Sequence, residues 1–307
     1  MTRDEHDGRA PLAVGLGELI WDLLPTGRRL GGAPSNFAHH WRLLGGRAAV
    51  ASRVGDDELG REARARLGRA GLIAEHVQID AEHPTGTVGV EIGARGEARF
   101  RVNPNSAWDY LELSAGWARL ASEADVVCFG TLGQRHERAR ETILGFLLLT
   151  RPSALRVFDV NLRHSFFTPA MLADSLALAN AVKLNGEELA AAAAMLRLGA
   201  SGERALCGEL IERFGLRLVA LTRGRRGSLL VSDGQAVEHE GGAVEVVDTI
   251  GCGDAFAAAV AYCHRAGLSL EAAGEVANRM GAWVATREGA TPEADGQTME
   301  WIRGGAL

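Results

Sequence analysis

A chain of 307 residues can form one large α/β domain with elaborations, or two ordinary domains. It is 47% hydrophobic and 23% charged, with a formal net charge of -6, the composition of a soluble globular protein with no general attraction to nucleic acid. Its cysteines (Cys128, Cys207, Cys252 and Cys263) form no C-x-x-C pair, which argues against a zinc site or disulfide scaffold and for reduced thiols in a cytoplasmic protein.

Met1–Ala10 is polar and lacks the apolar stretch of a signal peptide. Strands and helices then alternate, as an α/β fold requires. Leu12–Gly17 reads as a strand, 34–44 as a helix with Pro34 near its start, 47–54 as a strand and 58–70 as a helix. A short buried strand at 125–129 leads to a helix at 136–150 and strands at 155–159 and 181–184. Helices at 186–196 and 202–214 flank the approach to a strand at 217–222. Residues 228–231 and 236–239 suggest a hairpin around Asp233-Gly234, and 253–266 and 270–286 are the last long helices. The Ala-rich run Ala190–Leu196 is too short to span a bilayer, so no membrane partner is expected.

Residues 85–103 break this pattern. Val88, Val90 and Ile92 alternate on one face before a turn at Ala94–Glu97, the signature of a β-hairpin. A second extended piece, 22–30, is interrupted by Pro25-Thr26-Gly27. The two can pair into a small separate sheet, which beside an α/β core suggests a lid.

Familiar nucleotide motifs are missing. Lys183 is the only lysine, and Leu184 follows it, so neither a Walker A loop nor a protein-kinase lysine strand is present. Gly15-Leu16-Gly17 puts Ile20 where a dinucleotide fingerprint needs a small residue. A nicotinamide oxidoreductase is therefore a distant alternative.

The segment Asp248-Thr249-Ile250-Gly251-Cys252-Gly253-Asp254 precedes an apolar helical run. A helix start offers unpaired N–H groups and a positive dipole end, and glycines let an anion approach closely. Asp254 at such a site costs repulsion, which makes sense if it takes the proton of an attacking hydroxyl. By itself the segment fits a capped helix start equally well.

Five separated segments, in the family's order from about Leu12 to Pro292, resemble the ribokinase-like (PfkB) family of carbohydrate kinases. Asp248–Asp254 resembles the D-T-x-G-A-G-D signature, with Cys252 where alanine is usual. Gly31-Gly32-Ala33-Pro34-Ser35-Asn36 with Leu44-Gly45-Gly46 resembles the N-terminal signature. Asp159-Val160-Asn161-Leu162-Arg163, Lys183-Leu184-Asn185-Gly186-Glu187-Glu188 and Thr222-Arg223-Gly224-Arg225-Arg226-Gly227 complete the set.

The resemblance implies a three-layer α/β/α core with a mostly parallel sheet, a small β-sheet lid from 22–31 and 85–108, and one domain over 1–307. It implies Asp254 as catalytic base, with Gly251, Cys252 and Gly253 as the anion cradle. Asp22, Gly31, Gly32, Asn36 and Arg163 are implied to contact substrate. Asn185, Thr222, Gly224, Gly227 and Asn278 are implied on the ATP side. Glu188 is implied to act on Mg²⁺ through water, and Asp248, Ile250 and Gly289 to form a monovalent-cation loop, with K⁺ as the expected ion.

Ala107-Trp108-Asp109 resembles bacterial fructokinase-like members, which nominates Arg101 as the sugar reader with Asn103 and Trp108 beside it. Trp108 fits packing between lid and core equally well. Fructose to fructose 6-phosphate is the leading reaction. Kinases of 2-keto-3-deoxygluconate, ribose or nucleosides, and a non-catalytic sensor on the same fold, are the alternatives. Lids in similar kinases pair between subunits, so a homodimer is expected.

Overall fold

The computed structural model describes residues 9–24, 27–92, 98–163, 166–232 and 234–307, with backbone alone over 90–92 and 98–100. The chain begins with β1 (Leu12–Leu16), β2 (Ile20–Leu24), β3 (Gly27–Gly31), α1 (Ala33–Leu43), β4 (Arg47–Gly55), α2 (Glu58–Arg69) and β5 (Val77–Asp80). It continues through β6 (Gly86–Ile92), β7 (Ala98–Val102), α3 (Ala115–Glu123), β8 (Val126–Gly130), α4 (Glu137–Leu148), β9 (Leu155–Asp159), α5 (Pro169–Leu178) and β10 (Ala181–Asn185). It ends with α6 (Gly186–Leu196), α7 (Glu203–Phe214), β11 (Leu218–Thr222), β12 (Ser228–Ser232), β13 (Gln235–His239), α8 (Cys252–Arg265), α9 (Leu270–Ala285) and α10 (Gly296–Arg303).

The main sheet has nine strands in the order β13-β12-β11-β10-β9-β8-β1-β4-β5. Pairing is parallel from β11 to β5 and antiparallel at β12 and β13. Both faces are covered, so the central strands are continuously apolar. Strand alternation sends Ala13 and Val50 into one core, with α1, α8 and α9, and Val14, Ala49 and Ala51 into the other, with α3 to α7. This is the expected three-layer, mostly parallel core. A separate four-stranded sheet, β3-β2-β6-β7, joins the two extended pieces.

Most elements fall within a residue or two of their expected bounds. β5, α3, α5 and α10 were not foreseen. Each is short, but the three helices begin at ordinary caps, where Ser114, Thr168 and Asp295 accept first-turn N–H bonds. The expected turn at 94–97, Pro25-Thr26 and Asp233 lie, wholly or mostly, outside the described residues.

Candidate active site

The chain runs from β1 outward to β4 on one side, and later to β8 on the other. That reversal opens a crevice at the carboxyl ends of the strands, the usual ligand position in open α/β sheets. A cleft of about 720 Å³ lies there, roofed by the small sheet. Ile20, Asp22, Val88 and Val102 line it from the roof. Asp22 pairs with Val88, and Val88 with Val102, so the three share one register row facing the cleft.

Asp254 lies in the first turn of α8, on the cleft floor. Gly251 caps that helix at φ 81°, and an added Cβ would stand 2.6 Å from the Ala290 backbone. Only glycine meets both demands, and Gly251, Gly253 and Asp254 line the cleft at the first turn of α8, where backbone N–H groups have no partner within the helix. Asn36 on α1 donates its Nδ2–H to Asp254 Oδ2 at 2.7 Å, while its Oδ1 is buried without a hydrogen-bond partner. Burial, and then the nearby Asp159 carboxylate, push Asp254 up to about 7. A carboxylate poised near neutrality is suited to general-base work.

Arg163, Asn185, Glu188 and Thr222 line the cleft wall, and Gly31 and Gly32 its other side. Asn185 and Glu188 form a capping box at the start of α6. The second Glu188 oxygen accepts the Leu162 N–H at 3.1 Å, tying the Arg163 loop to that helix. Asp248 accepts the Ile250 N–H at 3.0 Å and the Gly289 N–H at 3.1 Å, which gathers the three expected cation-loop residues around one carboxylate. Cys252 donates to the Asp248 carbonyl, and burial pushes its thiol up to about 11, which leaves it a weak nucleophile at neutral pH.

The description "pfkB family carbohydrate kinase" matches residues 24–295. The chain belongs to this family. It is 33% identical over 262 residues to a fructokinase of Klebsiella pneumoniae, covering 79% of this chain and 81% of that protein. The fructokinase of Vibrio cholerae, solved with fructose, ADP and calcium ion, superposes with TM-score 0.79 at 25% identity, over 95% of this chain and 99% of that one. A sugar kinase of Pyrococcus horikoshii in complex with ATP gives TM-score 0.76 at 27% identity, over 91% and 94% of the two chains. This pfkB protein is therefore a sugar kinase with the ribokinase-like fold.

Several residues nominated from sequence stand away from the pfkB cleft. Arg101 is exposed and neighbours cleft-facing Val102 in β7, so alternation places it on the opposite face of the small sheet. Asn103 donates to Thr87 Oγ1 instead of lining the cleft. Trp108 is fully buried under Gly86, with the Arg135 guanidinium 3.9 Å over its ring, so of its two readings the packing one describes its position. Gly224, Gly227 and Asn278 lie beyond the cleft lining, and Asn278 spends its amide N–H groups on Ser228 Oγ and the Gly274 carbonyl.

Other residues entered the site unannounced. Glu18 is buried at the cleft, its Oε2 lacks a hydrogen-bond partner, and burial pushes it up to about 7. Arg29 reaches from β3 to Glu288 and stands 3.7 Å from Asp248 Oδ2. Lys183 bonds Asp159 Oδ1 at 3.0 Å beneath α8. Its uniqueness in the chain and its place at the head of the Lys183–Glu188 segment were the available signals; its position depends on packing between segments about seventy residues apart.

Proposed function

We propose that this sugar kinase transfers the γ-phosphoryl group of ATP to the primary hydroxyl of fructose, giving fructose 6-phosphate. The single observation that carries the chemistry is Asp254, held by Asn36 beside the glycine cradle. The hydroxyl oxygen forms the new O–P bond, the bond from γ-phosphorus to the bridging oxygen breaks, ADP leaves, and Asp254 takes the hydroxyl proton. The helix-start N–H groups at Gly251–Gly253 stabilise charge on the transferring group.

Asp22, Gly31, Gly32 and Asn36 hold the sugar, with Arg163 on the phosphoryl side. Asn185 and Thr222 hold the ATP phosphates, and the nucleotide runs outward past Gly224 and Gly227 toward Asn278. Glu188, buried on the cleft, has lone pairs left for a water-mediated contact with magnesium carried by ATP. The Asp248 loop is the proposed potassium site, with the Ile250 carbonyl as an oxygen ligand beside the carboxylate; Asp248 there also accepts two backbone N–H groups and stands 3.7 Å from Arg29. The small sheet, 22–31 and 85–108, acts as a lid that excludes water from the transfer. Two copies pair through it as a homodimer.

Fructose is favoured by the fructokinases among the relatives. The test is a coupled assay with Mg-ATP, K⁺ and a panel of fructose, other ketoses, 2-keto-3-deoxygluconate, ribose and nucleosides. The highest kcat/KM belongs to fructose. A higher value for any other member replaces the substrate and leaves the phosphoryl chemistry standing.

A further inference from the structure

We propose that Lys183 is a positioning residue of the transfer step, its ammonium seated behind the Gly251–Asp254 cradle as a fixed positive charge for the phosphoryl group in flight. The proposal rests on the kinase reading above and adds a residue to its machinery.

Location comes first. Lys183 stands near the end of β10, and its side chain runs under the first turn of α8. A Cβ added to Gly253 would lie 2.8 Å from Nζ, so the missing side chain is what brings the ammonium against the cradle. Lys183 also lines the cleft, whereas its partner Asp159 does not. A pair serving only the core has no need to show its cation to the ligand.

Charge comes second. Burial works against a protonated lysine, but Asp159, Glu188 and Asp254 all act on it and hold it charged. Glu18 adds a further carboxyl nearby, with Arg163 as the other cation of this wall. ATP brings more negative charge, which spreads over three oxygens of the group in flight. Without Lys183 the cradle would face that charge with unscreened carboxylates behind it.

Side-chain type comes third. This is the only lysine in a chain whose other cationic side chains, histidines aside, are arginines. An ammonium is compact, whereas a guanidinium is a broad planar fork. With Nζ 3.0 Å from Asp159 Oδ1 and filling the space that a side chain at Gly253 would need, the site suits the compact group.

The competing explanation is that Lys183 merely neutralises buried Asp159. Three variants separate the two: Asp159→Asn, Lys183→Met and Lys183→Met/Asp159→Asn, each with kcat, both KM values and a melting curve. The double variant replaces the ion pair with neutral side chains, which interiors tolerate better than an unpaired charge. Comparing it with Asp159→Asn reads Lys183 in the absence of its partner. The proposal expects the double variant to fall at least ~100-fold in kcat below Asp159→Asn, with KM for sugar and ATP within about threefold. Equal kcat in those two variants overturns the proposal and leaves the kinase reading intact. Wild-type protein that phosphorylates no member of the sugar panel removes both.

Discussion

Burial and the Asp159 carboxylate set Asp254 near neutrality, and this has a direct kinetic consequence. The base works only when deprotonated, so kcat/KM should rise with pH through about 7 and be lost on the acid side. Glu18 titrates in the same range, also because of burial. Its folded value lies above its unfolded one, so its contribution to stability is intact below the unfolded value of 4.5 and is lost as pH rises through about 7. Glu18→Gln cannot ionise. Relative to wild type, the variant should gain roughly 3 kcal/mol between pH 4.5 and pH 8, read as a growing difference in urea-unfolding free energy. It should keep the acid limb of the kinetic profile, because Asp254 remains. A limb that vanishes in Glu18→Gln would move the base assignment from Asp254 to Glu18.

At the scale of elements, one arginine ties the segment that follows β7 to the core. Arg135 donates to both oxygens of Asp109 at 2.7 Å and to the Asn103 carbonyl at 2.6 Å, while stacking over Trp108. Asp109 is 2% exposed, so Arg135→Ala would leave a buried carboxylate unpaired. The expected loss is about 3–5 kcal/mol in denaturant unfolding, with Arg135→Lys recovering only part of it. An Arg135→Ala loss below about 1 kcal/mol would show that Trp108 packing alone holds the junction. This junction also explains what sequence could convey about the roof. Alternation at Val88 and Val90 announced a hairpin, and pairing with the 22–30 segment was a fair expectation. Which face of β7 meets the cleft follows from its pairing row with Asp22, and that row is set by tertiary contact. Arg101 was therefore nominated on the right strand but faces away from the cleft, while Trp108, in the turn after that strand, takes the packing position that was its other reading.

For the whole molecule, the glycine-rich helix start and its companion segments were legible because close approach to phosphate demands particular residue types at fixed spacing. Asp22, Asn36, Arg163, Asn185, Thr222 and Asp254 do converge on one cleft. Glu18 and Lys183 were not nominated, because a buried charge is recognisable only once its surroundings are known. Assembly through the small sheet predicts about twice the 32.6 kDa chain mass in analytical ultracentrifugation. A single species at the chain mass, unchanged by sugar and ATP, would remove the homodimer.

Asp254→Asn removes the proposed base and keeps its shape. Its kcat and its ATP dissociation constant should be measured on protein whose melting curve matches wild type. The account predicts a fall in kcat of about 10²–10⁴-fold with ATP binding retained or tightened, since a negative charge has left the phosphate site. A kcat within a few-fold of wild type would contradict it and place the proton acceptor elsewhere in the cleft.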